Sequence, residues 1–408
     1  MPLPSAPRWR SVAAAAGLLD RSGAVRSTVF AEMSALATRT GAINLGQGFP
    51  DVDGPPSVAR AAAHAILAGA NQYPPGAGIP ELRAAVTEHQ RRRYGLSPDP
   101  GTEVLITTGA TEALTAAVLA LAGPGDDVVT LEPFYDSYAA AIALAGAEHV
   151  TVPLTPAPGG FRLDRAALAS AVTDRTRLIL LNTPHNPTGT VLSPDELAAV
   201  AAAAVRHDAV VLTDEVYEHL VFDGATHVPI ATLPGMGDRT LTVSSAGKTF
   251  SFTGWKVGWV TGPAELVTAV RTVKQYLTYV SGAPFQPAVA FALSDRGVEG
   301  WVRGLAASLA ERRDLLCGGL RAAGFDVVVP RGTYFVLADA AGLGYDDGTV
   351  LCRELPERAG VVGVPVRAFT HEGSATDQAL RSWVRFTFVK RADVLEQAVE
   401  GLARLARG

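Results

Sequence analysis

The 408-residue chain holds only two cysteines, Cys317 and Cys352, and neither stands at a metal-ligand or CxxC spacing. So few thiols exclude a disulfide framework and fit a reducing, cytoplasmic setting. Long apolar runs are also missing. Nothing reaches the roughly 20 apolar residues of a spanning helix, so no membrane partner is expected. Excess positive charge is absent too: the formal net charge of −5 argues against a nucleic-acid or anionic-membrane surface. There is no repeat of about 20 to 50 residues and no polar low-complexity tract. The N-terminus, MPLPSAPRWRSVAAAAGLLDRSG, imitates a secretion signal faintly. Asp20 interrupts its apolar run and no clear small-residue cleavage site follows, so an alanine-rich arm is the better reading.

What is present is globular. A hydrophobic fraction of 48% against 18% charged suits two domains with a substantial core. From about residue 57 to 295, apolar runs alternate with helical spacing. EVLITT, DDVVTLE, RLILLN, AVVLTDE and TLTVSS read as buried strands; ATEALTAAVLALA and SPDELAAVAAAAV read as helices. Ser193 with Glu196 forms a capping box, and Pro194 suits a first helical turn. This alternation predicts an α/β fold, a mostly parallel sheet covered on both faces, with polar residues at the strand ends where such sheets bind ligands. A long helix over about 298–323 then leads to FDVVVP, YFVLADA, VVGVPV and WVRFTFV, a smaller α+β unit joined without a flexible linker. The expected division is an N-terminal arm with part of the small domain over 1–52, a large domain over 53–295 and a small domain over 296–408.

The stretch SSAGKTFSFTGWKVGW sets Lys248 among small residues. Three chemistries want a lysine in such a place. A phosphate loop, GxxxxGK[ST], needs a glycine at 242, where the chain has Thr242, and should open a helix. A serine–lysine hydrolase would use Ser245 and Lys248 as SxxK, but no SDN, KTG or GxSxG element accompanies it. A lysine that condenses with an aldehyde cofactor such as pyridoxal 5'-phosphate (PLP) needs several partners, and these are present. Asp214 ends an apolar strand, where a buried carboxylate requires a cation such as a pyridinium. Asn186, in NTPHNPTG, can donate to the phenolate oxygen, and Tyr217, one helical turn past Asp214, is a second donor. Gly109, Ala110 and Thr111 lie between a strand and a helix, where backbone N–H groups bind phosphate. Ser245 and Lys256 can close on that phosphate, and Tyr135, at a strand exit, can stack on the ring.

These elements, with NLGQGFPD, NQYPPGAGIPELRAAV, EPFYDSY, TDEVYEHLVFDG, GTYFVLAD and VRFTFVKR in order over nearly the whole chain, resemble the class I/II aminotransferases of PLP fold type I. Within them the chain is similar to the kynurenine/glutamine branch. KQYLTYVSGAPFQPAVA and LGYDDGT particularly resemble actinobacterial N-succinyldiaminopimelate aminotransferases. The resemblance implies a mostly parallel seven-stranded sheet plus a smaller α+β domain. It implies amino transfer from an amino acid, usually glutamate, to a 2-oxo acid or related carbonyl acceptor, as in amino-acid and lysine biosynthesis. Alternatives on the same scaffold are kynurenine/glutamine-type transfer, cysteine-conjugate β-lyase action and a specialised amino-acid pathway. Lys248 becomes the Schiff-base lysine, Asp214 the pyridine-nitrogen partner, Asn186 and Tyr217 the phenolate contacts and Tyr135 the stacking ring. Ala110, Thr111, Ser245 and Lys256 hold the phosphate. Arg385 clamps the substrate α-carboxylate and Gly48 lies against the substrate. Tyr73 matches a tyrosine that reaches the neighbouring subunit's phosphate, which implies a homodimer with shared sites. Lys256 stands where many relatives have arginine. Ser281, Gly282 and Ala283 stand where kynurenine-type enzymes have bulky residues, which implies a roomier pocket. No metal is implied.

Overall fold

A computed structural model of the chain describes residues 8–20, 22–280 and 282–405. Its largest sheet runs, from one edge to the other, Val104–Thr107, Gly258–Thr261, Thr240–Ser245, Val210–Asp214, Thr176–Asn182, Asp127–Glu132, Glu148–Ala157 and Gly160–Leu163. That is eight strands, one more than the resemblance implies. The extra strand, Gly160–Leu163, turns back antiparallel on Glu148–Ala157, and its Phe161 and Leu163 are buried. Gly258–Thr261 is antiparallel to both its neighbours, and the four pairings from Thr240–Ser245 across to Glu148–Ala157 are parallel.

Period-two alternation covers both faces. Leu178, Leu180 and Leu212 pack with Ala113, Ala117 and Ile142 of the helices Gly109–Leu121 and Asp136–Ala145. Ile179, Leu181 and Val211 point the other way, toward Leu168, Leu197 and Val200 of the helices Arg165–Ala171 and Pro194–Arg206. Such two-sided burial explains why these strands read as continuous apolar runs. The capping box forms as expected: Ser193 Oγ accepts from Glu196 N at 3.3 Å and Glu196 Oε2 accepts from Ser193 N at 2.8 Å. A cap of this kind contributes about 1 kcal/mol.

The long helix spans Arg296–Ala322, starting two residues early because Asp295 caps it by accepting from Val298 N at 2.9 Å. Beyond it, Asp326–Val328, Phe335–Asp339, Trp383–Thr387 and Val364–Pro365 form an antiparallel four-stranded sheet. Ile43–Asn44 pairs in parallel with Val361–Val362, so the segment before residue 45 is tied to the C-terminal part. The N-terminal arm contributes a helix, Arg8–Ala15, with Ala13 buried. No described helix is long and apolar enough to cross a membrane.

Candidate active site

Parallel pairing brings polar strand ends together. Asn182 and Asp214 stand opposite each other in register, and Ser245 ends the next strand. These ends open into a cavity of about 380 Å³. Gly48, Gly109, Ala110, Thr111, Tyr135 and Asn186 line it, as do Asp214, Tyr217, Ser245, Lys248, Lys256 and Arg385. The chain has only four lysines, at 248, 256, 274 and 390, and two of them meet here. The phosphate-loop geometry is absent around Lys248: its helix is the single turn Ala246–Thr249.

Asp214 is buried, accepting from the Tyr138 hydroxyl at 2.7 Å and from Val216 N at 3.3 Å. Burial pushes its carboxyl up to about 6, against the opposing pull of those hydrogen bonds and of Lys248. Lys248 Nζ donates to Tyr334 Oη at 3.0 Å, and the Tyr334 hydroxyl donates to Gly48 O at 2.6 Å. Tyr217 lies in a hydrogen-bonded turn after Asp214 and not in a helix. Its ring meets Tyr334 edge-on at 5.2 Å, and burial, with the neighbouring Tyr334, raises its hydroxyl well above the usual phenol range.

Gly109 has φ +75°, and a Cβ there would lie 3.3 Å from Lys256 Cε. Glycine therefore lets the lysine stem cross the turn that opens the helix Gly109–Leu121. Gly258 is needed for the same approach, since a Cβ on it would meet Gly109 C at 2.7 Å. Tyr135 stands at the start of the helix Asp136–Ala145, edge-on to Tyr138 at 5.6 Å. Its hydroxyl is pushed up to about 12, first by burial, despite a hydrogen bond with Thr111.

Arg385 is buried on the small sheet, in Trp383–Thr387. Nη1 donates to Asn186 Oδ1 at 3.0 Å and Nη2 to Gly46 O at 2.9 Å, while Nε has no acceptor among the described residues. Its guanidinium carbon lies 4.0 Å from the Phe335 ring centre and 4.5 Å from that of Phe369. Burial lowers it to about 10, which leaves it charged.

Behind the site, Glu218 accepts from Tyr94 at 2.6 Å and from Ser244 at 2.6 Å. Burial raises its carboxyl, but His219, His89 and these hydroxyls outweigh that and bring it down to about 2. His89 and His219 hydrogen-bond through their Nε2 atoms at 3.0 Å. This network braces the turn carrying Tyr217 and the strand end carrying Ser245, although His89 Nδ1 has no hydrogen-bond partner among the described residues.

Tyr73, expected to serve a neighbouring subunit's site, is 82% exposed and packs edge-on against Tyr279 at 5.6 Å, outside this chain's own cavity. One expectation needs correction. Gly282 and Ala283 do not line this cavity, because Val257 stands in front: a Cβ on Gly282 would be 3.3 Å from Val257 Cγ2. Ser281 lies outside the described residues. Sequence reasoning missed Tyr138, Tyr334, Phe30, Phe335 and Asp136. The signal for two was available, since Tyr138 is one turn past Tyr135 in EPFYDSY and Tyr334 sits in GTYFVLAD.

A two-faced α/β sheet whose strand ends bring a buried acid and a lysine together, with a buried arginine facing them from the small sheet, defines a class, and the comparisons agree. Residues 40–402 match the family model for aminotransferase class I and II, and the chain belongs to that family and is an aminotransferase. It is similar to a probable N-succinyldiaminopimelate aminotransferase of Mycobacterium tuberculosis: 57% identical over 384 residues, 93% of this chain and 96% of the other. The Escherichia coli methionine aminotransferase is 39% identical over 379 residues, again 93% and 96%. The solved structure of the Mycobacterium tuberculosis N-succinyldiaminopimelate aminotransferase superposes with a TM-score of 0.91 at 54% identity, covering 99% of this chain and all of that one.

Proposed function

We propose that the chain is a cytoplasmic, homodimeric, PLP-dependent aminotransferase that uses glutamate as donor and N-succinyl-2-amino-6-oxopimelate as acceptor. The observation that carries the cofactor is Asp214, a carboxylate buried at a strand end with no ion-pair partner among the described residues. Its charge is costly until a cation meets it, and a protonated ring nitrogen is such a cation. Bound there, PLP supplies an electron sink for the carbanion formed at the substrate Cα.

The protein's own groups do the rest. Lys248 would hold the cofactor and, as a free amine, would take the proton from the substrate Cα. Asp214 keeps positive charge on the ring nitrogen, with Tyr138 fixing the carboxylate. Asn186 and Tyr217 would hold the cofactor's phenolate oxygen and Tyr135 would cover its ring. The N–H groups at Gly109, Ala110 and Thr111, with Ser245 and Lys256, bind the phosphate. Arg385 binds the α-carboxylate, and its unpaired Nε supports that role: the site contains a donor awaiting an acceptor. Phe335 and Phe369 hold the guanidinium in place, and Gly48 keeps its side open.

The acceptor reading rests on the 57% identity to the mycobacterial relative. The homodimer is supported by Tyr73, Leu67 and Tyr276, which are 82%, 87% and 87% exposed. Two buried free thiols support the cytoplasm.

The test is the visible absorption of protein loaded with PLP, before and after L-glutamate alone. Bleaching of the lysine-bound cofactor's band, and its return on adding N-succinyl-2-amino-6-oxopimelate, is the expected result. A band that glutamate leaves unchanged would refute the donor, and no band at all would refute the role of Lys248.

A further inference from the structure

A second cavity, of about 360 Å³, lies between the N-terminal arm and the small sheet. Phe30 and Asp136 line both it and the first cavity, so the two adjoin there. The charged groups around the two cavities differ in what they are paired with. Arg385 stands in the first cavity with an unpaired Nε. Asp136, at the junction, is a largely buried carboxylate. The cations on the wall of the second cavity are mostly spoken for: Arg367 is paired with Asp377 at 2.7 Å and Asp347 at 3.1 Å, and Arg353 with Glu32 at 3.6 Å. Arg26 differs. Its Nε donates to Gly17 O at 2.8 Å, and its guanidinium has no ion pair among the described residues. It shares the outer mouth with the exposed carboxylate of Glu372 and with Asp20, whose Oδ1 is taken up by Ser22 and Ala24.

We infer that the second cavity is a distal substrate subsite in which Arg26 binds a second carboxylate of a long acceptor whose 2-oxo acid end lies at Arg385. Pinning Nε to the main chain leaves both Nη groups to form a forked contact with a carboxylate. At the junction the Asp136 carboxylate can accept a hydrogen bond, which suits an amide N–H. The fitted ligand therefore carries a carboxylate at each end and an amide N–H between, as a 2-oxo acid whose side chain bears an N-linked dicarboxylic acyl group does. The N-terminal arm thereby acquires a role in specificity, carrying Arg26 over the path past Phe30. This inference rests on the proposed function and adds the group that selects the acceptor.

The test compares two acceptors with glutamate as donor and the PLP-loaded dimer as enzyme: N-succinyl-2-amino-6-oxopimelate and the short monocarboxylate 2-oxohexanoate. Arg26→Gln is expected to raise KM for the long acceptor on the order of tenfold with kcat nearly unchanged, and to leave 2-oxohexanoate kinetics unaltered. Arg26→Lys restores part of the loss, and Glu372→Gln lowers KM for the long acceptor, because a competing anion is removed. Equal effects of Arg26→Gln on both acceptors, or none on either, would overturn the subsite. Wild-type enzyme that prefers 2-oxohexanoate also overturns it, while the aminotransferase reading stands. Transfer to neither acceptor overturns both the subsite and the proposed acceptor.

Discussion

Tyr334 stands between Lys248 and the main chain: its hydroxyl donates to Gly48 O at 2.6 Å and accepts from Lys248 Nζ at 3.0 Å. One phenol thus links the lysine to the segment that lies against the substrate. Replacing Tyr334 with Phe keeps the ring that packs on Tyr217 and removes only this link. The freed amine then has no fixed direction toward the substrate Cα. We expect kcat to fall about tenfold with KM for glutamate within about twofold, in steady-state assays of the loaded enzyme. An unchanged kcat would remove Tyr334 from the mechanism.

Asp214 makes stability depend on pH. Its carboxyl rises from an ordinary 3.8 to about 6 in the folded protein. The cofactor-free fold therefore binds this proton more tightly than the unfolded chain. The stabilisation is complete below the unfolded value and is lost as pH rises through about 6. Asp214→Asn has no such loss. Relative to wild type, the cofactor-free variant should gain on the order of 2–3 kcal/mol in going from pH 4 to pH 8. Denaturant melts at the two pH values measure this. The same variant should lose transamination by at least about 100-fold, since the cation's partner is gone.

Arg385 is held by geometry as much as by charge. Phe335 covers one face at 4.0 Å, and two of its nitrogens are already engaged by Asn186 and Gly46. Lysine offers a point charge where the site presents a fork. Arg385→Lys should raise KM for glutamate on the order of 100-fold while the visible band of the loaded protein keeps its position. Loss of the band instead would show that Arg385 supports the cofactor.

Gly48 tests the same contact from the other side. A Cβ there would lie 2.4 Å from Phe335 Cζ, so the ring must shift from its place over Arg385. Gly48→Ala should cost about 1–3 kcal/mol and raise KM for glutamate. Gly123→Ala, where nothing lies within 4 Å, is the control and should change neither. Thermal melts and donor titrations report both quantities.

The shared-site dimer has its own check. Tyr73→Phe and Lys248→Ala variants are each expected to be impaired as homodimers. Mixed and reassembled, they should recover activity, because a mixed dimer holds one site free of both lesions. Static light scattering should give twice the chain mass. Absence of recovery would place Tyr73 outside the partner's site.

What the sequence determined by itself was local and periodic. Apolar runs ending in Asn182, Asp214 and Ser245 specified parallel strands covered on both faces, because only burial on both sides allows such runs. Ser193, Pro194 and Glu196 specified a helix start, because the cap bonds lie within one turn. The scarcity of lysine and the small residues around Lys248 marked the reactive position. Tertiary structure decided what depends on long-range approach. Tyr334 reaches Lys248 across 86 positions and Tyr138 reaches Asp214 across 76, separations at which no periodicity carries information. The eighth strand rests on a hairpin whose buried face only its neighbours supply. Val257, standing before Gly282, removed a pocket wall that the family resemblance had implied. Chemistry was legible where one residue type must sit at one strand end. The partners that tune it were not, because they are selected by distances that only the folded chain creates.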